Sequence, residues 1–145
     1  MKKIFISFIL LVLVSAASFA QIDKIAGKWK TIDDKDGSEK SIVLIYKATN
    51  GKYYGKIEKL FKDPAKKCIE CDGANKNKPV LGMVFVNNMV EKDGSLTGGT
   101  ILDPANGKVY QCNMSFDEKK GKLKVRGSLD KRGFLGRTQY WLKVQ

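Results

Sequence analysis

The sequence predicts an all-β domain in which eight antiparallel strands close into an up-and-down barrel. Three observations favour this fold class: glycine turns recur at regular intervals, the segments between them alternate apolar and polar residues, and nothing beyond the N-terminal segment has a sustained helical period. Barrel closure leaves no strand edge exposed to further pairing. A two-sheet sandwich built from the same strands is the alternative.

The N-terminal segment, residues 1–20, has the pattern of a cleaved signal peptide. Two lysines precede a largely apolar run over residues 4–14, and Ala20 lies at a small-residue cleavage point. The run is too short for a membrane span, which needs about 20 residues. We therefore expect one domain over residues 21–145, exported to the periplasm or secreted, with no transmembrane segment after cleavage.

Glycine turns divide the rest of the chain into strand-length segments. Three dipeptides accept positive φ at both turn positions and so predict hairpins: Asn50-Gly51, Asp93-Gly94 and Asn106-Gly107. Further turns are predicted at three glycines in polar stretches, Gly37, Gly121 and Gly133. The predicted strands lie near residues 28–33, 40–48, 52–61, 80–91, 95–103, 107–117, 121–130 and 134–144.

The strand segments differ in how clearly they alternate. SIVLIY (41–46) and VLGMVFV (80–86) are apolar on both faces, whereas VYQCNMSF (109–116) and KLKVRGSL (122–129) alternate. Because successive side chains of a strand point to opposite faces, the alternating strands are predicted to be half buried and half solvated. A barrel of this size either fills with side chains or holds one small ligand.

One long interval between Gly51 and Gly94 must hold two strands and an insertion near residues 62–79. The insertion carries Cys68 and Cys71 in the stretch KKCIECDG. The chain has no histidine, which removes haem attachment and leaves too few ligands for a typical zinc site. No strand–helix–strand context supports a thioredoxin-like redox site.

A disulfide between Cys68 and Cys71 is therefore the expectation for an exported chain, with Cys112 as a buried free thiol. Pairing of either cysteine with Cys112 is the alternative. The bridge would fix the shape of the insertion, which we expect to lie over the mouth of the barrel.

No catalytic site, metal site or cofactor is predicted. Without histidine, no serine or cysteine can be paired with an imidazole base. The acidic stretch at residues 33–37 lacks the later glutamate of a calcium loop. We expect a non-enzymatic protein. Carboxylate chemistry by Glu58 and Asp103 at the barrel mouth is the remaining enzymatic alternative.

The chain is basic, with a formal net charge of +12 that falls by two when the signal lysines are removed. The lysines alternate with apolar residues along predicted strands, which is typical of a solvated sheet face. No specific nucleic-acid partner is predicted. An anionic envelope surface is an alternative partner.

Two short motifs resemble lipocalin-like barrels, which begin with a Gly-x-Trp strand and place a basic residue of the last strand across that tryptophan. Here the motifs are GKW (27–29) and GRTQYW (136–141). The resemblance implies a cation–π contact of Arg137 over Trp29, since closure brings the first and last strands together.

A longer series of motifs resembles the bacterial secreted family called domain of unknown function 2147, which has a lipocalin-like (calycin) barrel. The motifs include CIECDG, GGTILDPANGKVY, VRG and GRT, and the likeness runs from about Gly27 to Lys143. It implies the barrel fold, export and the cysteine pair. It implies no catalytic residues, because the family has no settled activity.

The leading functional hypothesis is a barrel that binds a small apolar or amphipathic ligand. The predicted ligand contacts are four aromatic residues and one arginine: Tyr46, Tyr53, Tyr110, Phe116 and Arg126. The arginine would supply charge at the mouth or surface, and Arg137 is the second candidate for that role. The alternative is a filled barrel that acts as an envelope interaction module and uses its basic surface to bind an anionic polymer or a protein partner.

Overall fold

Eight antiparallel strands form a closed barrel in a computed structural model that describes residues 21–145. The predicted signal peptide over residues 1–20 lies outside the described residues. The strands are β1 (Gly27–Ile32), β2 (Glu39–Lys47), β3 (Tyr53–Leu60), β4 (Val84–Lys92), β5 (Ser95–Leu102), β6 (Val109–Asp117), β7 (Lys122–Ser128) and β8 (Gly136–Lys143). The predicted fold class is confirmed.

Each strand pairs with the next along the chain, and β8 closes the barrel against β1. The closing register pairs Trp29 with Lys143 and Lys30 with Leu142. The predicted boundaries agree to within a few residues. The main difference is at β4, which begins at Val84 and not near residue 80, because the preceding residues turn at Gly82, where φ is +84°.

Because successive strands run in opposite directions, the connections alternate between two ends of the barrel. The mouth end carries the β1–β2 turn, the β3–β4 insertion (61–83), the β5–β6 turn and the β7–β8 loop (129–135). The closed end carries the other turns and a helical turn over residues 21–25. Lys24 on the helical turn forms an ion pair of 2.6 Å with Glu118 of the β6–β7 turn. This ion pair holds the helical turn across the closed end.

The half of the barrel next to the closed end, the filled half, is packed with inward side chains. Trp29 is fully buried, its ring centroid lies 6.3 Å from that of Phe116, and its Nε1 donates a hydrogen bond of 2.7 Å to Ile25 O. Other fully buried side chains of this half are Val43, Ile45, Met89, Leu96, Met114 and Leu123. Within residues 21–145, no helix has the length and apolar character needed to cross a membrane.

Candidate functional site

A cavity of about 750 Å³ occupies the other half of the barrel, the mouth half, and opens between the mouth loops. Its wall is formed mainly by inward apolar side chains of six strands. These include Ile57, Phe85, Ile101, Tyr110, Val125 and Trp141. The volume falls within the range of about 300–1,000 Å³ that is usual for small-molecule sites.

The cavity exists because several inward positions of the mouth half carry short side chains. Thr31 and Ser41 face each other across β1 and β2, and their hydroxyl oxygens lie 2.7 Å apart. One hydroxyl donates to the other, so each of the two buried groups has a hydrogen-bond partner. Gly127 on β7 adds no side chain, and a Cβ built there would lie 3.6 Å from both Ile101 and Tyr110, in ordinary contact.

Two aromatic rings form one wall of the cavity. The rings of Phe85 and Trp141 are stacked, with centroids 6.2 Å apart and an interplanar angle of 29°. The register of β4 against β3 shifts between Gly55 and Lys56, which leaves Phe85 as the extra residue of a bulge. Phe85 and its neighbour Val86 are both buried as a result.

The rim of the cavity is polar and carries both signs of charge. Arg137 and Gln139 follow Trp141 on the inward face of β8 towards the mouth, and both contact the Asp34 carboxylate, at 3.3 and 2.6 Å. Hydrogen bonds from Ser38, and then the nearby Lys62 ammonium, lower the pKa of Asp36 to about 2. The other charged side chains at the rim are Asp33, Glu39, Lys40, Asp63, Lys66 and Asp103.

The cysteine pair is a disulfide. Cys68 and Cys71 are bonded, as predicted, and both are fully buried. Cys112 is a buried free thiol, and desolvation raises its pKa to about 12. The predicted pairing is therefore confirmed, and Cys112 is chemically inert at neutral pH because its thiolate is not populated.

The insertion that carries the disulfide packs on the β5–β6 turn at the mouth. A Cβ at Gly107, where φ is +71°, would overlap Glu70 O, so the two segments are in close backbone contact. A sulfur of the disulfide, Cys68 Sγ, lies 3.5 Å from Pro104 O on the same turn. The insertion also supplies Lys62 and Lys66 to the rim, and so it lies at the mouth.

The structure separates the four aromatic residues that the sequence suggested as ligand contacts. Tyr110 lines the cavity. Tyr53 and Phe116 are inward but belong to the filled half, where desolvation, followed by the charges of Glu91 and Asp23, raises the pKa of Tyr53.

The prediction that Tyr46 points into the barrel is wrong. Tyr46 lies on the outer face of β2, stacked on Tyr54 with ring centroids 6.1 Å apart, because the inward set of this strand is Ser41, Val43 and Ile45.

The predicted contact of Arg137 over Trp29 is wrong. Lys143 takes that place, with its Nζ 4.8 Å from the Trp29 ring centre, because β8 pairs Lys143 with Trp29 and carries Arg137 to the mouth. Arg126 lies on the polar face of β7, as predicted. Its guanidinium donates hydrogen bonds to Gly133 O, Thr138 Oγ1 and Phe134 O, so it holds the β7–β8 loop and does not enter the cavity.

Sequence reasoning missed Phe85, Trp141 and Gly127 as cavity residues. Alternation along GRTQYW places Arg137, Gln139 and Trp141 on one face, and this signal could have identified Gln139 and Trp141 as lining the cavity. The bulge that turns Phe85 inward has no sequence signal of its own.

Comparison with known proteins identifies the family. A family model with the description "Uncharacterized protein conserved in bacteria (DUF2147)" matches residues 27–143. The chain belongs to this family. No curated protein matches the chain significantly.

A solved structure also resembles this member of the family. It is Protein HP1028 from the human pathogen Helicobacter pylori, described as belonging to the lipocalin family. The match has a TM-score of 0.72 and 26% sequence identity, and it covers 83% of this chain and 82% of that one. The likeness agrees with the closed eight-stranded barrel.

Proposed function

We propose that this protein is a non-enzymatic, exported binding protein that holds one small apolar or amphipathic molecule in the mouth half of its barrel. The observation that carries the proposal is the cavity of about 750 Å³, with apolar walls and an opening between the mouth loops. Small β-barrels with an unfilled interior hold one ligand of this size. The likeness to a protein described as a lipocalin family member supports the same reading.

The distribution of polar groups favours a ligand with one polar end. The apolar part would lie against the Phe85–Trp141 stack and Val125. The polar end would lie at the rim, where Arg137 and Lys66 offer donors. Burial of apolar ligand surface supplies the affinity, at about 25 cal/mol per Å², and the rim fixes the orientation.

Two further observations support binding without catalysis, and a third supports export. The buried thiol of Cys112 is un-ionised near pH 7, since its pKa is raised to about 12. Within residues 21–145, no three His, Cys, Asp or Glu side chains are grouped so as to hold a metal ion. The Cys68–Cys71 disulfide fits an oxidising compartment. Fractionation of cells that express the full chain tests the exported location.

The test of the ligand site is a titration with anilinonaphthalene sulfonate, a fluorescent amphipathic dye. It is read through energy transfer from the two buried tryptophans, of which Trp141 lines the cavity. The Gly127→Leu variant places a side chain in the cavity, where Gly127 leaves room beside Ile101 and Tyr110. We expect about ten-fold weaker dye binding or more, since the ligand must displace or clash with the new side chain.

The control is Lys124→Leu, which adds the same side chain on the outer face of β7 and should leave dye binding unchanged. Equal binding by Gly127→Leu and wild type would reject the cavity as the site. Binding that also collapses with added salt would indicate the basic exterior, because cavity binding should be largely insensitive to screening.

A further inference from the structure

Exposed apolar side chains are concentrated at the mouth end. In the part of the chain that the structure describes, six of the seven large exposed hydrophobic residues lie there: Ile69, Leu81, Val109, Leu129, Phe134 and Leu135. The seventh, Val90, is on the outer face of β4. Exposed large apolar side chains gathered at one end of a molecule point to an interaction surface there.

The β7–β8 loop, LDKRGFL over residues 129–135, contributes three of these side chains. Leu129, Phe134 and Leu135 are 69%, 76% and 66% exposed. Leu129 and Leu135 also line the mouth of the cavity. The loop therefore connects the cavity opening with the outside of the molecule.

Side-chain hydrogen bonds hold this loop in a defined shape. The Asp130 carboxylate accepts the backbone N–H groups of Phe134 and Leu135, at 3.2 and 2.8 Å. The Arg126 guanidinium donates to Gly133 O at 2.7 Å and to Phe134 O at 3.2 Å. These bonds hold the backbone of residues 133–135, from which Phe134 and Leu135 project into solvent.

The same loop carries positive charge at its tip. Lys131 and Arg132 are exposed, and neither forms an ion pair with any acidic group in residues 21–145. Apolar side chains next to unpaired basic ones match an anionic lipid surface, which offers acyl chains beneath phosphate groups.

We propose that the β7–β8 loop docks the barrel mouth on an anionic lipid surface. Phe134 and Leu135 enter the boundary between headgroups and acyl chains, and Lys131 and Arg132 bind the lipid phosphates. Docking in this orientation places the cavity opening against the lipid. This inference goes beyond the proposed ligand binding and stands if the cavity proves to bind no dye.

The experiment is co-sedimentation of the full exported chain with vesicles of phosphatidylcholine alone or mixed with phosphatidylglycerol. We expect binding to the mixed vesicles that weakens with added salt. The double variant Phe134→Ser/Leu135→Ser should lower the partition coefficient at least about ten-fold, from the lost burial of two large apolar side chains. Val90→Ser, which removes an exposed apolar side chain far from the mouth, should bind as wild type does.

A fluorescent variant keeps the test independent of folding defects. Phe134→Trp should show a blue-shifted emission on mixed vesicles, against the low background change of the two buried tryptophans. Val90→Trp is the matched control and should not shift. Absence of binding by wild type to mixed vesicles, or an unshifted Phe134→Trp, would overturn the proposal, and the surface would then belong to a protein partner.

Discussion

The filled half and the mouth half of the barrel are built on the same strands but differ in what their inward side chains contact. In the filled half, Trp29, Leu96 and Met114 are fully buried in the hydrophobic core. In the mouth half, Thr31, Ser41 and Gly127 leave an opening of about 750 Å³. The first half is therefore closely packed, and the second provides the space.

The mouth half obtains its order from other interactions. The Cys68–Cys71 disulfide fixes the insertion, and Asp130 and Arg126 hold the β7–β8 loop by hydrogen bonds. Such local constraints shape a segment without filling the interior. Substitutions in the filled half should therefore change global stability, whereas those in the mouth half should change mainly binding and local order.

The largest expected effect separates two leucines, one in each half. Leu96→Ala should lower the free energy of unfolding by about 2–5 kcal/mol, because Leu96 is fully buried and leaves a cavity in a packed core. Leu60→Ala, at the half-buried cavity wall, should cost about 1 kcal/mol, since its side chain already borders open space. Urea unfolding measures both. Equal losses would show that the mouth half is as tightly packed as the filled half.

Two strand glycines, one in each half, test the difference in packing. A Cβ at Gly99 would lie 2.5 Å from Met89 Sδ and would overlap the Asn87 carbonyl, so Gly99→Ala should destabilise by about 1–3 kcal/mol through overpacking. Gly127→Ala places its Cβ in ordinary contact at the cavity wall and should stay within about 0.5 kcal/mol of wild type. Thermal unfolding of the two variants provides the measurement, and a destabilised Gly127→Ala would contradict a free space beside β7.

The barrel could be predicted from the sequence because its signals are local. Hairpin dipeptides such as Asn106-Gly107 fix the turns, and the alternation around Cys112 fixes the faces of β6. Closure then follows from the number of strands. The disulfide was also predictable, since it joins two cysteines in one short loop.

The candidate site was less predictable, because it depends on register and irregularities. Tyr46 belongs to a strand that is apolar on both faces, so alternation could not show that its ring points outward. The identity of the basic residue over Trp29 depended on the offset between β1 and β8, which selects Lys143 and not Arg137. A bulge beside Gly55 decided the inward position of Phe85.

The disulfide should contribute less to global stability than the filled half does. A bridge that closes so short a loop stabilises by about 2 kcal/mol or less in the chain-entropy account, and Cys68→Ser/Cys71→Ser should lose at most that amount. Amide exchange in the insertion should accelerate more than exchange in β5 or β6. In the wild type, alkylation under denaturing, non-reducing conditions should label Cys112 alone, and label on Cys68 would show that the bridge is incomplete.

The smallest global effect is expected at the β7–β8 loop. Hydrogen bonds from Leu135 N–H, and then from Phe134 N–H, lower the pKa of Asp130 below its ordinary value of 3.8. A lowered pKa in the folded state means that the carboxylate stabilises the loop above pH 3.8, and that this contribution is lost as the pH falls through the folded-state pKa.

Asp130→Asn should therefore accelerate amide exchange at Phe134 and Leu135 at neutral pH, because an amide has one oxygen to accept where the carboxylate has two. The melting temperature should change little, since the filled half is untouched. Lys131→Gln, on the same loop but outside this hydrogen-bond set, is the control. Unchanged exchange in Asp130→Asn would mean that the other hydrogen bonds hold the loop without the carboxylate. These are the bonds from Arg126 to Gly133 O and Phe134 O and the backbone bond from Leu129 N–H to Leu135 O.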